Sequence, residues 1–127
     1  MPFVHIHLLE GKPKTFLQSI ADGVHEALVE ACHIPQGDRF QVISEFKKHQ
    51  FIVDKTYFDI ERSDDAVIIH ITLKIGRSHD IKKALYQAIV TKLASHPGLR
   101  KEDVMIILAD NDPGNWSFGN GIAQLIS

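Results

Sequence analysis

The feature that most restricts the fold is an internal repeat. A β-type segment, a Gly-containing turn, a helical stripe, a Pro/Gly break and a second β-type segment occur twice, in the same order, within 127 residues. Gly11 and Gly76 stand 65 residues apart, as do Ile20 and Leu85, while Phe40 and Val104 are 64 apart. A unit of this size accommodates two parallel strands and the helix that crosses between them. Two such units give an α+β arrangement of four strands with both helices on one sheet face. The reading is one domain over residues 1–127, with pseudo-repeats at about 2–60 and 66–127. The opposite sheet face then has no helix to cover it. Along the first strand that face holds either Val4, Ile6 and Leu8 or Phe3, His5, His7 and Leu9, because strand side chains alternate. Both sets are too apolar for water, so the bare face is expected to pack on another subunit.

The individual elements follow from periodicity. Val4–Leu9 alternates as a strand, closed by Gly11 and Pro13. Phe16, Ile20, Val24, Leu28 and Ala31 form a helical stripe, with Thr15 as N-cap and Pro35 and Gly37 as breakers. Phe40–Ser44 reads as a second strand. Residues 45–65 are irregular, with a short hairpin arm expected at Phe51–Val53. Val67–Leu73 is β-branched at five of seven positions and is the clearest strand. Ser78 caps a second helix carrying Ile81, Leu85, Ala88, Ile89 and Leu93, which Pro97-Gly98 ends. Val104–Leu108 reads as a buried strand, and the remaining residues as turns and a final hairpin.

Composition removes several function classes. Fourteen basic and sixteen acidic residues give a net charge of −2, without the basic excess of a nucleic-acid binder. No apolar run approaches the roughly 20 residues of a bilayer span, so no membrane partner is expected. A single cysteine, Cys32, cannot form an intramolecular disulfide, and no secretory signal is visible; the expected location is cytoplasmic.

Eight histidines raise the question of a metal. His5 and His7 share one strand face and His70 lies mid-strand in the other repeat. No cysteine or carboxylate accompanies them at ligand spacing, so no metal site is assigned. They read instead as imidazoles at a subunit interface. Cys32 has no legible partner set for nucleophilic chemistry and reads as packing. Gly119-Asn120-Gly121 lacks the strand-then-helix context of a phosphate loop and reads as a turn.

Pro2 is the residue with chemical promise. Removal of Met1 would free its secondary amine, and an α-amino group titrates at roughly 7.7–8.0, close to neutrality. A strand beginning at Phe3 would hold that amine in place.

Four stretches extend the argument: Pro2 after Met1, Pro-x-Gly-Asp-Arg-Phe at Pro35–Phe40, Gly76-Arg77-Ser78, and Asn115-Trp116-Ser117-Phe118-Gly119. In this order, on a doubled βαβ frame, the chain resembles the tautomerase superfamily, and within it the malonate semialdehyde decarboxylase branch. The resemblance implies the four-stranded mixed sheet of the 4-oxalocrotonate tautomerase and macrophage migration inhibitory factor group, assembled as a homotrimer. It implies a cofactor-free enzyme for small oxo or enol carboxylic acids. Pro2 would be the acid/base amine, Asp38 the carboxylate that assists it or activates water, and Arg77 the grip on the substrate carboxylate. Trp116 and Phe118 would form the aromatic wall. Better-known decarboxylases of this branch carry a second arginine two residues before the first; here Ile75 occupies that position, with Lys74 beside it. Tautomerisation, decarboxylation of a β-semialdehyde acid, and hydration or dehalogenation of an unsaturated acid all remain open. So does a non-enzymatic ligand-binding module. Arg39, next to Asp38, is expected to point away from the site, because successive strand residues face opposite sides.

Overall fold

The computed structural model describes residues 1–127. In each repeat a strand is followed by a helix and a parallel strand: β1 (Phe3–Leu9), α1 (Lys14–Cys32) and β2 (Gln41–Phe46), then β3 (Val67–Lys74), α2 (His79–Ser95) and β4 (Val104–Asn111). β1 and β2 are parallel, β3 and β4 are parallel, and the two units join through antiparallel pairing of β1 with β3. The sheet order is therefore β2-β1-β3-β4, a mixed sheet with the repeats back to back. The repeat extends to the turns. Gly11 and Gly76 end equivalent strands and have φ of +114° and +128°, a region that costs a side-chain-bearing residue but not glycine.

Alternation decides which face meets the helices. Val4, Ile6 and Leu8 of β1 and Val67, Ile69, Ile71 and Leu73 of β3 are buried with Ile20, Val24 and Leu28 of α1 and Leu85, Ile89 and Leu93 of α2. Removing one such side chain from water contributes about 1.5–3 kcal/mol. The two helices cross closely at Gly23, where an added Cβ would lie 2.8 Å from Leu93 Cδ2. The other face carries His5, His7 and Leu9, with Phe3, Val42, Met105 and Ile107 exposed. No helix is long and apolar enough to cross a membrane.

The structure corrects several local expectations. α1 begins at Lys14 with Pro13 in the N-cap position and no side-chain cap, so Thr15 lies inside the first turn. Ser78 does cap α2, accepting from the Ile81 N–H at 3.2 Å. β2 starts one residue later than Phe40 and runs on to Phe46. β4 is longer than Val104–Leu108 and is only half-buried, because as an edge strand it turns Met105 and Ile107 outward.

Phe51–Val53 forms no strand. The segment is shaped by side chain–backbone bonds: Arg62 donates to the carbonyls of Asp54, Tyr57 and Ile60, and Asp54 accepts from the N–H groups of Thr56 and Tyr57. No final hairpin forms either. A 3₁₀ turn at Pro113–Asn115 leads into a bend in which Gly119, Asn120 and Gly121 all have positive φ, closed by Gln124 across Phe118 and Gly119.

Candidate active site

The pairing places the N-terminal ends of β1 and β2 beside the C-terminal ends of β3 and β4. Val4 pairs with Gln41, Phe3 with Thr72, and Thr72 with Ala109. Pro2, Asp38, Arg77 and Trp116, scattered over the sequence, therefore issue from one end of the sheet.

Asp38 lies in the connection from α1 to β2, where its N–H donates to the Pro35 carbonyl at 3.0 Å. Its carboxylate turns inward, with 8% of the side chain exposed. Oδ2 is 3.2 Å from the Met1 amino nitrogen, and no donor is aligned to give it a hydrogen bond. Pro2, the next residue, is buried. The carboxylate therefore already stands against the start of the chain.

Arg77 follows β3 through Gly76. It is half-buried and donates from one terminal nitrogen to the Lys74 carbonyl at 2.9 Å, leaving further N–H donors. The strand end thus orients the guanidinium through the backbone of Lys74, while Ile75 is exposed and adds no charge. Cys32, at the end of α1, is a neighbour that sequence reasoning placed in packing alone. It does pack against the core, yet it also adjoins Arg77: burial pushes its thiol up, while the Arg77 guanidinium and the amino group of the chain act in the opposite direction. Cys32, Arg77 and the chain start are thereby brought into one neighbourhood.

The aromatic residues form a row. Trp116 Nε1 donates to Asn111 Oδ1 at the end of β4, and its ring stacks on Phe118 at 5.6 Å between centroids. Phe118 meets Phe40 at 6.1 Å, and the Phe40 carbonyl accepts from the Val4 N–H at 3.0 Å. The row runs from the end of β4 to the start of β1, two residues from Asp38. Phe40 closes the Pro35–Phe40 motif, but from the sequence it carries no role in the site and reads as the first residue of a strand. Arg39 lies in the loop before β2, not in a strand, so alternation does not place it; it turns to α1 and reaches Asp22 at 2.6 Å. None of the cavities of the single chain is lined by Pro2, Asp38 or Arg77.

A family model described as tautomerase enzyme matches residues 38–119, and another of the same description matches residues 2–59. The chain belongs to the tautomerase family. It is 45% identical over 126 residues to the probable tautomerase YusQ of Bacillus subtilis (strain 168), an alignment covering 99% of both chains. Among solved structures it is similar to FG41 malonate semialdehyde decarboxylase inhibited by 3-bromopropiolate. That match has a TM-score of 0.91 and 36% identity, and covers 96% of this chain and 92% of the other. A second malonate semialdehyde decarboxylase, studied for decarboxylase and hydratase activities, gives a TM-score of 0.91 at 27% identity, covering 97% and 95%. As a tautomerase-superfamily member of this fold, the chain is an enzyme.

Proposed function

We propose that this tautomerase acts on small oxo or enol carboxylic acids by acid/base catalysis with the amine of Pro2, freed by removal of Met1. The observation that carries the reading is the buried Asp38 carboxylate, 3.2 Å from the amino group at the chain start. The Pro2 amine, one residue further along and buried at the start of β1, can carry a proton to and from a substrate, which is worth typically 10²–10⁴-fold. Arg77 binds the substrate carboxylate, for which a guanidinium offers paired donors, and Trp116 and Phe118 wall the substrate. Residues 1–127 work as one unit in this reading.

In tautomerisation the neutral amine removes the enol hydroxyl proton, and the ammonium then delivers a proton to carbon as the carbonyl forms. In decarboxylation of a β-semialdehyde acid the ammonium hydrogen-bonds the β-carbonyl, the C–C bond electrons pass into the enolate as CO₂ leaves, and the enolate carbon takes a proton. Neither sequence needs a cofactor. Similarity to malonate semialdehyde decarboxylases supports the second, and the single arginine, with Ile75 in place of another, favours the first. Hydration of an unsaturated acid is supported by one observation: Asp38 Oδ2 accepts no hydrogen bond and could take the proton of an attacking water.

We further propose a homotrimer in which the helix-free sheet faces are buried. The test of function is steady-state kinetics of the Met1-free protein on an enolpyruvate and on a β-semialdehyde acid. Turnover of the first alone assigns a tautomerase, of the second a decarboxylase, and turnover of neither removes the proposal.

A further inference from the structure

Asp38 has no hydrogen-bond donor at Oδ2, so its position depends on the backbone that carries it. That backbone is fastened to one turn of α1 on both sides of Asp38. Beyond it, Arg39 donates to the Asp22 carboxylate at 2.6 Å, and Gln41 Nε2 donates to the Ala21 carbonyl at 2.8 Å. Arg39 Nε also donates to Gln41 Oε1 at 2.9 Å, and Gln18 supports Asp22 at 2.9 Å. Before it, His25 Nε2 lies 2.9 Å from the carbonyl of Gln36, two residues short of Asp38. A carbonyl only accepts, so Nε2 carries the hydrogen and donates.

The three anchors differ in setting. Arg39 and Asp22 form their bond near solvent, where such a pair contributes little. His25 is 5% exposed. Gln36 itself is exposed, so the bond is part-buried, with its donor side packed in the protein and the carbonyl side open. A packed histidine ring also cannot swing away, so it fixes the loop where the exposed pair only restrains it.

We propose that His25 is a positioning residue for Asp38: through the Gln36 carbonyl it sets the distance between the Asp38 carboxylate and the catalytic amine. The inference rests on the role given to Asp38 above. His25 touches neither substrate nor amine and acts through the loop. Small displacements matter here, since a misplacement of about 1 Å can cost roughly 10²-fold in rate.

The experiment compares His25→Leu, His25→Gln and Asp38→Asn with the unsubstituted protein, all full-length and free of Met1, on an enolpyruvate. His25→Leu has no donor, and is expected to lower kcat by about tenfold or more with little change in KM. It should also move the ionisation of the amine in the pH–kcat profile downward, towards its value in Asp38→Asn, because the carboxylate that favours the protonated amine has moved off. His25→Gln, which keeps an N–H able to reach the carbonyl, should recover most of both. A purely structural role would lower Tm in His25→Leu without moving that ionisation. Should His25→Leu not fold, His25→Asn, too short to reach Gln36, serves in its place. An unchanged kcat and profile in the donor-free variant, with Asp38→Asn impaired, overturns this inference alone. If Asp38→Asn is itself unimpaired, the role of Asp38 and this inference fall together.

Discussion

The Oδ2 atom of Asp38 stands 3.2 Å from the amino nitrogen of Met1, making the start of the chain and the loop after α1 parts of one site. While Met1 is present, the nitrogen of Pro2 is an amide, with no basic lone pair and no proton to give. Removing Met1 turns it into a secondary amine, one residue along the chain and within the same buried end of the sheet.

The first prediction compares these two forms. Protein that keeps Met1, verified by intact mass and by circular dichroism, should be folded but at least about 10²-fold slower on an enolpyruvate than processed protein. Pro2→Ala after Met1 removal keeps a primary amine and should retain part of the activity. Equal rates from the two forms would remove the amine from the mechanism.

Arg77 gives the second prediction. Arg77→Ala should lower kcat/KM for a carboxylate substrate by about tenfold or more, on the order of 1.4 kcal/mol. Arg77→Lys should recover part of the binding, since an ammonium keeps the charge but not the paired donors. The guanidinium also braces the end of β3 through the Lys74 carbonyl, so Tm should be read beside the kinetics. Wild-type kinetics in a folded Arg77→Ala protein would take Arg77 out of the site.

Most of this architecture can be read from the sequence, for a physical reason. The spacing of Gly11 from Gly76 and of Ile20 from Leu85 records two copies of one folding unit, and apolar periodicity marks which faces must be buried. What escaped depends on side chains that find backbone partners far along the chain or outside any period. The segment around Tyr57 is shaped by Arg62 and Asp54, whose roles no alternation pattern reveals. The site divides in the same way. Asp38, Arg77 and Trp116 stand out through motifs, whereas Cys32 and His25 are ordinary helix residues, and Phe40 a motif residue without an assigned role, until the fold brings them beside those positions.

The third prediction concerns assembly. Phe3, Val42, Met105 and Ile107 project from the helix-free face as exposed apolar side chains, and a second copy of the same face offers them burial. Sedimentation of the protein at micromolar concentration should give a trimer. A charge placed in the face, as in Ile107→Lys, should shift it towards smaller species while leaving the helix-side core intact. A stable monomer from the unsubstituted protein would contradict the assembly.

The last prediction is a pH dependence that arises on this same face. His7 stacks on His5 at 3.9 Å between ring centroids and on Phe46 at 6.0 Å, while His5 accepts or donates at Ser44 Oγ over 2.6 Å and pairs across the sheet with His70. Burial first, then the charges of His5 and His70, hold the His7 imidazole below its ordinary 6.5. The unfolded chain, where His7 titrates normally, therefore takes up the proton before the folded one. Its contribution to stability is complete above 6.5 and declines as pH falls below that value towards the depressed pKa of the folded state. His7→Gln removes the ionisation while keeping a polar side chain. Urea midpoints measured between about pH 5 and 8, the range in which histidine changes charge, should fall more steeply on acidification for the unsubstituted protein than for His7→Gln. The two curves should run parallel on the alkaline side. Parallel curves over the whole range would show that His7 is not the group responsible.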